Sequence, residues 1–285
     1  MHTVNSLAAA VAAVAAGSAA DALLDRLRAL GGLVVAFSGG VDSAVVLAAA
    51  VRALGADAVL AAIADSPSLA RAELCEARRL AGQIGAELVV LRTDELADPG
   101  YRANVGDRCY FCKQTVLTAV RGLAERRGLA HVATGTHLDD RRASHRPGLR
   151  AAAELGVHEP LAEVGATKPV VRLLAAHWGL PVRDKPSTPC LASRIAVGIP
   201  VSVARLALVE RAELAARGYL TEHRISVRDL RVRLLGQAGF RVELDEVALD
   251  QLGAQARAGL LARVAETGSG GPGELAHYHS GSLSG

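Results

Sequence analysis

The stretch Leu33-Val34-Val35-Ala36-Phe37-Ser38-Gly39-Gly40-Val41-Asp42-Ser43 decides the fold. Its opening run is apolar without alternation, the pattern of a short strand buried on both faces of a parallel sheet. The chain then passes through a serine-glycine-glycine turn into a helix start. Asp42 or Ser43 can cap a helix that Ala44 to Leu54 propagates and Gly55 ends. Such a junction aims several backbone N–H groups at one point. The glycines let the backbone approach a ligand without a Cβ clash, and the helix N-terminus adds about half a positive charge, so the turn reads as an anion site. Ser38 and Ser43 supply hydroxyl donors, and Asp42 is placed to hold Mg²⁺ or the sugar side of a nucleotide. Neither the Gly-Lys-Ser/Thr of a Walker loop nor the Gly-x-Gly-x-x-Gly of a dinucleotide fold is present here. A tight strand-to-helix turn without a ligand is the plainer alternative.

Working outward, Asp57 to Ile63 reads as a strand, Leu69 to Ile84 as a helix closed by Gly85, and Glu87 to Leu91 as a strand. A helix follows over Lys113 to Arg127, broken by Gly128, and then a strand over His131 to Thr134. The alternation predicts an α/β fold with a doubly wound parallel sheet. After Pro200 the pattern changes to a helix over Val203 to Arg217, apolar segments around Ile225 to Leu234 and Phe240 to Leu244, and a helix over Val247 to Ala265. That is the pattern of a smaller C-terminal α+β domain, with a boundary near Val197 to Pro200. The expected organisation is an extension over residues 1–20, a nucleotide-binding domain carrying the cysteines over 21–200, a small domain over 201–267, and a flexible Gly/Ser-rich tail over 268–285.

Composition narrows the function. With 285 residues the chain can bury two cores, and an aromatic content of 3% leaves them to small aliphatic side chains. The formal charge of +3 is too slight and too evenly spread for a nucleic-acid surface. The alanine-rich opening has no Lys or Arg ahead of its apolar run, so it reads as a helical or frayed extension of a cytoplasmic protein rather than a secretory signal or a membrane span.

Four cysteines do not make a disulfide scaffold in a chain of this size. Arg108-Cys109-Tyr110-Phe111-Cys112-Lys113 precedes a helix, and Pro189-Cys190-Leu191-Ala192-Ser193-Arg194 lies near the end of the first domain. Three thiolates can hold three irons of a 4Fe–4S cluster and leave the fourth open to an exogenous sulfide. Zinc in a three-cysteine site, or a Cys109–Cys112 redox pair with Cys190 as attacking thiol, fits the same residues. Cys75 sits in an apolar helical pattern and reads as core.

The phosphate turn resembles the Ser-Gly-Gly-x-Asp-Ser signature of the PP-loop ATP pyrophosphatases, which adenylate an acid and let a nucleophile displace AMP. Further blocks resemble one branch, the LarE-type pyridinium-3,5-biscarboxylate mononucleotide sulfur transferases. They are Gly135-Thr136-His137-Leu138-Asp139-Asp140, Arg146-Pro147-Gly148, Thr167-Lys168 with Arg172, and Lys185-Pro186-Ser187-Thr188-Pro189-Cys190-Leu191-Ala192-Ser193-Arg194. Arg231-Val232-Arg233, Arg241-Val242-Glu243 and the terminal Ser280-Gly281-Ser282-Leu283 fit as well, and the cysteine blocks discriminate most.

The resemblance implies the PP-loop (adenine nucleotide alpha hydrolase-like) fold, ATP and Mg²⁺ as cofactors, and Ser38, Gly39, Gly40, Asp42, Ser43 and Gly135 as nucleotide-binding residues. It also implies a pyridinium mononucleotide substrate, a sulfide donor, other nickel-pincer cofactor assembly proteins as partners and a homo-oligomer, with no nucleic acid and no membrane. The cysteine at position 190 gives up its own sulfur in some members. In members with all three cysteines it helps hold a 4Fe–4S cluster, the reading implied for Cys109, Cys112 and Cys190. Lys113 and Arg194 are expected to stabilise thiolate or cluster charge, and Arg231 and Arg233 to grip the substrate phosphate, with Arg228 competing and surface salt bridges as the alternative. Asp139-Asp140 is expected to hold metal or cap a helix. His131, His137, His145 and His158 read as structural. Thr134-Gly135-Thr136-His137 and Ser144-His145-Arg146-Pro147-Gly148 depart from the family's Asp-Gly-Thr-Asn and Asp-Tyr-Arg-Pro-Gly, so substrate contacts there are expected to differ. A tRNA thiolase would need an RNA platform, and an amidating ligase would not need the cysteines.

Overall fold

The computed structural model describes residues 2–143 and 147–279, with side chains from residue 14 onward. Ser144, His145 and Arg146, and the terminal Ser280-Gly281-Ser282-Leu283, lie outside the described residues. The chain divides into two compact units: Met1–Ser66, Arg71–Glu95 and Cys109–Ser187 form the first, and Pro67–Ala70, Leu96–Arg108 and Thr188–Gly285 the second. The division thus falls at Ser187 rather than near Val197 to Pro200, and two earlier segments join the second unit.

The first unit opens with α1 (His2–Leu30), one continuous helix across the expected boundary at residue 20. Ala16, Ala20, Leu23, Leu27 and Leu30 are buried at helical spacing, which is why it forms part of the unit and not a loose extension. Then follow β1 (Leu33–Ala36), α2 (Val41–Leu54), β2 (Val59–Asp65), α3 (Arg71–Ile84) and β3 (Glu87–Arg92). In chain order the second unit contributes α4 (Pro99–Ala103). The first unit resumes with α5 (Arg108–Arg126), β4 (His131–Ala133), α6 (Leu138–Arg142), α7 (Pro147–Glu154), α8 (Pro160–Glu163) and α9 (Lys168–His177).

The four strands form one sheet in the order β3-β2-β1-β4, every pair parallel. This is the α/β parallel sheet read from the sequence. Most of β1 and of β2 is buried, as expected of strands covered on both faces. Strand order reverses between β1 and β4, so the loops leaving their C-terminal ends flank the crevice where such sheets bind ligands. Helix α1 packs on α2, α8 and α9.

The second unit holds a 3₁₀ turn (Leu191–Arg194), α10 (Val203–Glu222), β5 (Leu230–Leu234), β6 (Phe240–Leu244), α11 (Glu246–Asp250), α12 (Ala254–Ala265) and β7 (Gly273–His277). Its sheet runs β5-β6-β7, with β5 antiparallel and β7 parallel to β6. Ala212, Ala216, Leu220, Val232, Val242, Leu244, Leu260 and Val264 form its core.

Three expectations are corrected here. The tail expected to be flexible contains β7, because Gly273 to His277 pair with Phe240 to Leu244. The helix expected over Val247 to Ala265 is two helices, since Gly253 acts as a new N-cap for α12. β5 starts only at Leu230, because the N–H groups of Arg228 and Asp229 donate to the Asp245 carboxylate at 2.8 and 3.1 Å and not to a strand.

Candidate functional site

Gly40, not Asp42 or Ser43, caps α2, and the helix starts at Val41. The Ser43 hydroxyl therefore turns back on the loop. It donates to Gly40 O at 3.1 Å, accepts from Ser38 N–H at 3.2 Å and lies 3.1 Å from the Ser38 hydroxyl. Gly39 has φ +72°, which a side chain would strain, and an added Cβ would also meet Ala77 Cβ at 3.1 Å. The loop is thus a closed ring of backbone and serine hydroxyls at the positive end of a fourteen-residue helix.

Gly135 supports this ring from β4. A Cβ there would stand 2.6 Å from Ser43 N and 2.8 Å from Asp42 C, so only glycine allows the loop after β4 to lie against the phosphate loop. The rest of that loop is fixed by a Thr134–Thr136 hydroxyl contact of 3.1 Å and by a capping box between His137 and Asp140 at the start of α6. Asp139 accepts from Lys168 N–H at 2.7 Å. Of the two roles expected for Asp139-Asp140, the contacts described here are those of helix-end caps.

Lys168, which the sequence reading placed in a family block with Thr167 and Arg172 but gave no role, meets the phosphate loop. Its ammonium donates to both carboxylate oxygens of Asp42 at 2.7 Å, with the pair only partly exposed. The phosphate loop therefore carries a cation and a carboxylate side by side, the one suited to phosphate oxygens and the other to a hard divalent cation. The available signal was a lysine at a helix start beside proline, in Thr167-Lys168-Pro169, but helix-start lysines are common and no spacing rule links one to Asp42.

Cys109 and Cys112 lie one turn apart at the start of α5, because that helix begins at Arg108 and not at Lys113. Tyr110 holds the early turn by donating to Glu154 at 2.7 Å, a tertiary bond that local propensity does not report. Cys109 is exposed and Cys112 half-buried, and none of the four cysteines is in a disulfide. Cys75 is exposed rather than core: on α3 the buried stripe runs through Leu74, Ala77 and Leu80, and Cys75 is turned off it. Burial pushes the Lys113 ammonium below its ordinary pKa, while Cys112, Glu159, Asp140 and Cys109 pull it back up. Among the described residues no group of three or more His, Cys, Asp or Glu side chains is gathered closely enough to hold a metal ion.

In the second unit the exposed Cys190 occupies the N-cap position of the 3₁₀ turn. Arg194 is almost wholly buried and is used on the backbone. It donates to Pro189 O at 2.5 Å and Cys190 O at 3.1 Å, and is ion-paired with Glu213 at 2.9 Å. The contacts of Arg194 are with the backbone of the cysteine turn and with Glu213. Arg233 is likewise buried and engaged: it pairs with Glu243 at 2.8 Å and donates to Ser193 O at 3.0 Å. Arg231 donates to Leu230 O at 2.7 Å and stacks on Tyr278 at 5.2 Å, and burial, with Arg194 nearby, lowers its pKa. Of the three arginines considered for phosphate, Arg228 is the exposed one.

Residues 21–99 match the family described as NAD synthase. The chain is 39% identical over 235 residues to the uncharacterized protein slr1717 of Synechocystis sp., covering 81% of this chain and 84% of that one. It is 32% identical over 227 residues to the pyridinium-3,5-bisthiocarboxylic acid mononucleotide synthase of Lactiplantibacillus plantarum, covering 80% and 79% respectively. The phosphate ring at the β1–β4 crevice and these matches agree on an ATP-utilising enzyme. No described helix is long and apolar enough to cross a membrane. The chain belongs to the LarE-type family of PP-loop proteins, that of the pyridinium-3,5-bisthiocarboxylic acid mononucleotide synthase.

Proposed function

We propose that this chain adenylates a carboxylate of pyridinium-3,5-biscarboxylate mononucleotide and converts it to a thiocarboxylate, in nickel-pincer cofactor synthesis. The observation that carries the reading is the Ser38–Ser43 ring closed by Gly135 and charged by the Asp42–Lys168 pair, in a chain 32% identical to a synthase of the bisthiocarboxylic acid. A carboxylate is a poor electrophile. One of its oxygens attacks the α-phosphorus of ATP, the bond to the β-phosphate oxygen breaks, and pyrophosphate leaves an acyl adenylate. Sulfide then attacks the acyl carbon, the bond to the AMP oxygen breaks, and AMP departs.

The ring of N–H and hydroxyl donors would orient the phosphates, and Lys168 would leave Asp42 for pyrophosphate as charge develops there. Asp42 would then be free for Mg²⁺, which when bound supplies charge neutralisation on the phosphates. None of the three cysteines is in a disulfide, and Cys109 and Cys190 are exposed, so their thiolates have the donor chemistry of a 4Fe–4S cluster, which when bound would present the sulfide. A sulfide donor and other cofactor-assembly proteins belong to this reading, as does a homo-oligomer. Zinc is the alternative metal for the same thiols, and sacrificial donation from Cys190 is the second reading, favoured by the exposure of that thiol.

Replacing Cys109, Cys112 and Cys190 together by serine should abolish thiocarboxylate formation and leave ATP-dependent pyrophosphate release; full sulfur transfer by that variant would overturn the proposal. Iron and sulfide analysis after anaerobic reconstitution decides the source, since an iron-free protein that transfers one sulfur per chain, the atom missing afterwards from Cys190, is the sacrificial one.

A further inference from the structure

The backbone around Cys190 is held by several hydrogen bonds, and its anchorage leads to a glutamate outside every motif. Three donors converge on the Cys190 carbonyl: Ser193 N–H at 2.9 Å, the Ser193 hydroxyl at 2.8 Å and Arg194 Nη1 at 3.1 Å. The same Nη1 donates to the carbonyl before it, Pro189 O, and to the Ser193 hydroxyl at 2.9 Å. On the other side Leu191 N–H donates to Ser68 O at 2.9 Å, and the Ser68 hydroxyl lies 2.5 Å from the buried Tyr101 hydroxyl. Leu191 and Ala192 are themselves buried. With its flanking amides fixed, the Cys190 thiol retains little freedom beyond rotation about its own Cα–Cβ bond.

This arrangement depends on a guanidinium that is 2% exposed, and a charge so buried needs a partner. Glu213 on α10 provides it, accepting from Arg194 Nε at 2.9 Å and also from Val232 N–H of β5 at 3.2 Å. One carboxylate thereby ties α10, β5 and the cysteine turn. It also offsets Arg194 against the neighbouring Arg231, whose pKa Arg194 depresses and Glu213 supports.

We infer that Glu213 is a positioning residue for sulfur transfer: acting through Arg194, it fixes the backbone of the Cys190 turn and so the direction in which the thiol is presented. This rests on the reading of Cys190 given above. The step it serves is the second, attack on the acyl carbon with loss of AMP, and not the adenylation.

The test compares E213Q, E213A and C190A with the wild type, reading pyrophosphate release, thiocarboxylate formation and the alkylation rate of Cys190 by mass spectrometry. Gln keeps the acceptor and loses the charge, so E213Q serves where E213A does not fold. The expected result is a loss of about ten- to a hundredfold in sulfur transfer in the Glu213 variants, the scale of a misplaced reacting group, with pyrophosphate release within about twofold of the wild type. The Cys190 alkylation rate should change with it. Sulfur transfer within about twofold of wild type in E213A, or equal losses in both steps, would overturn the inference. If C190A transfers sulfur normally the inference also falls, and a changed alkylation rate in E213Q would then locate the error in the role given to Cys190 and not in the anchorage.

Discussion

At the scale of single residues, two side-chain positions govern the phosphate loop. Gly135 acts by having no side chain, since a Cβ there would stand 2.6 Å from Ser43 N. Gly135→Ala must push the loop aside, an overpacking that costs about 1–3 kcal/mol and should raise the KM for ATP about ten- to a hundredfold. Steady-state pyrophosphate release at varied ATP checks this, and an unchanged KM would refute it. Lys168→Ala removes a partly exposed cation whose pairing with Asp42 contributes at most about 1 kcal/mol to stability. Its thermal midpoint should barely move while kcat/KM for ATP falls at least about tenfold. Comparable losses of stability and activity would make it a fold residue instead. Much of the loop was legible in the sequence, because serine, glycine and aspartate at a strand-to-helix junction have few other uses. Lys168 was not, because its ammonium meets Asp42 only through tertiary folding across more than a hundred residues. The carboxylate partners of Arg194 and Arg233 were not legible for the same reason: Glu213 and Glu243 meet them only in the folded chain.

At the scale of elements, strands and helix interiors were read well and their ends less so. Apolar runs and terminal glycines mark the interiors, as at Gly55 and Gly85, whose φ values of +83° end their helices. The ends of α5 and α12 depended on bonds to distant residues or on which of two plausible caps prevails. Asp245 shows how much one end can carry. It caps α11 by accepting from Ala248 N–H at 3.1 Å and also accepts from Arg228 and Asp229 N–H, linking the entry of β5 to the exit of β6. Burial would raise its pKa, but these N–H donors outweigh it and hold the carboxyl below its ordinary 3.8. The depressed folded-state value means the carboxylate's contribution is present above pH 3.8 and lost as pH falls through the folded value. Asp245→Ala should cost about 1 kcal/mol at neutral pH, and the difference from wild type should close below pH 3.8 in denaturant titrations. A difference constant with pH would contradict the capping role.

At the scale of the whole molecule, the first unit is held by a polar chain that responds to acid. Arg26 of α1 donates to Glu163 of α8 at 2.5 Å and to His158 Nδ1 at 3.3 Å, and His158 Nε2 lies 3.1 Å from His131 Nδ1 of β4. Arginine only donates, so neutral His158 carries its proton on Nε2 and gives it to His131. Burial lowers the His158 pKa below 6.5, with His131 and Arg26 adding to the effect and Glu163 opposing it. Glu163 would be raised by burial, yet the Glu159 N–H and Arg26 hold it below 4.5. Both groups are depressed, so both contribute stability that is full above pH 6.5 and is lost on acidification, His158 first and Glu163 after it. His158→Gln should flatten the stability profile just below pH 6.5 and leave the steeper loss below pH 4.5; an unchanged profile would show that His158 titrates as in the unfolded chain.

The proposed coupling of nucleotide activation to sulfur transfer likewise belongs to the entire chain. It is tested most directly by incubating the anaerobically reconstituted protein with ATP, Mg²⁺, sulfide and pyridinium-3,5-biscarboxylate mononucleotide. AMP, pyrophosphate and a product that has exchanged one carboxylate oxygen for sulfur are then followed together. Equal amounts of AMP, pyrophosphate and thiocarboxylate are the predicted result. ADP and phosphate in their place, or pyrophosphate release with no sulfur in the product, would contradict it.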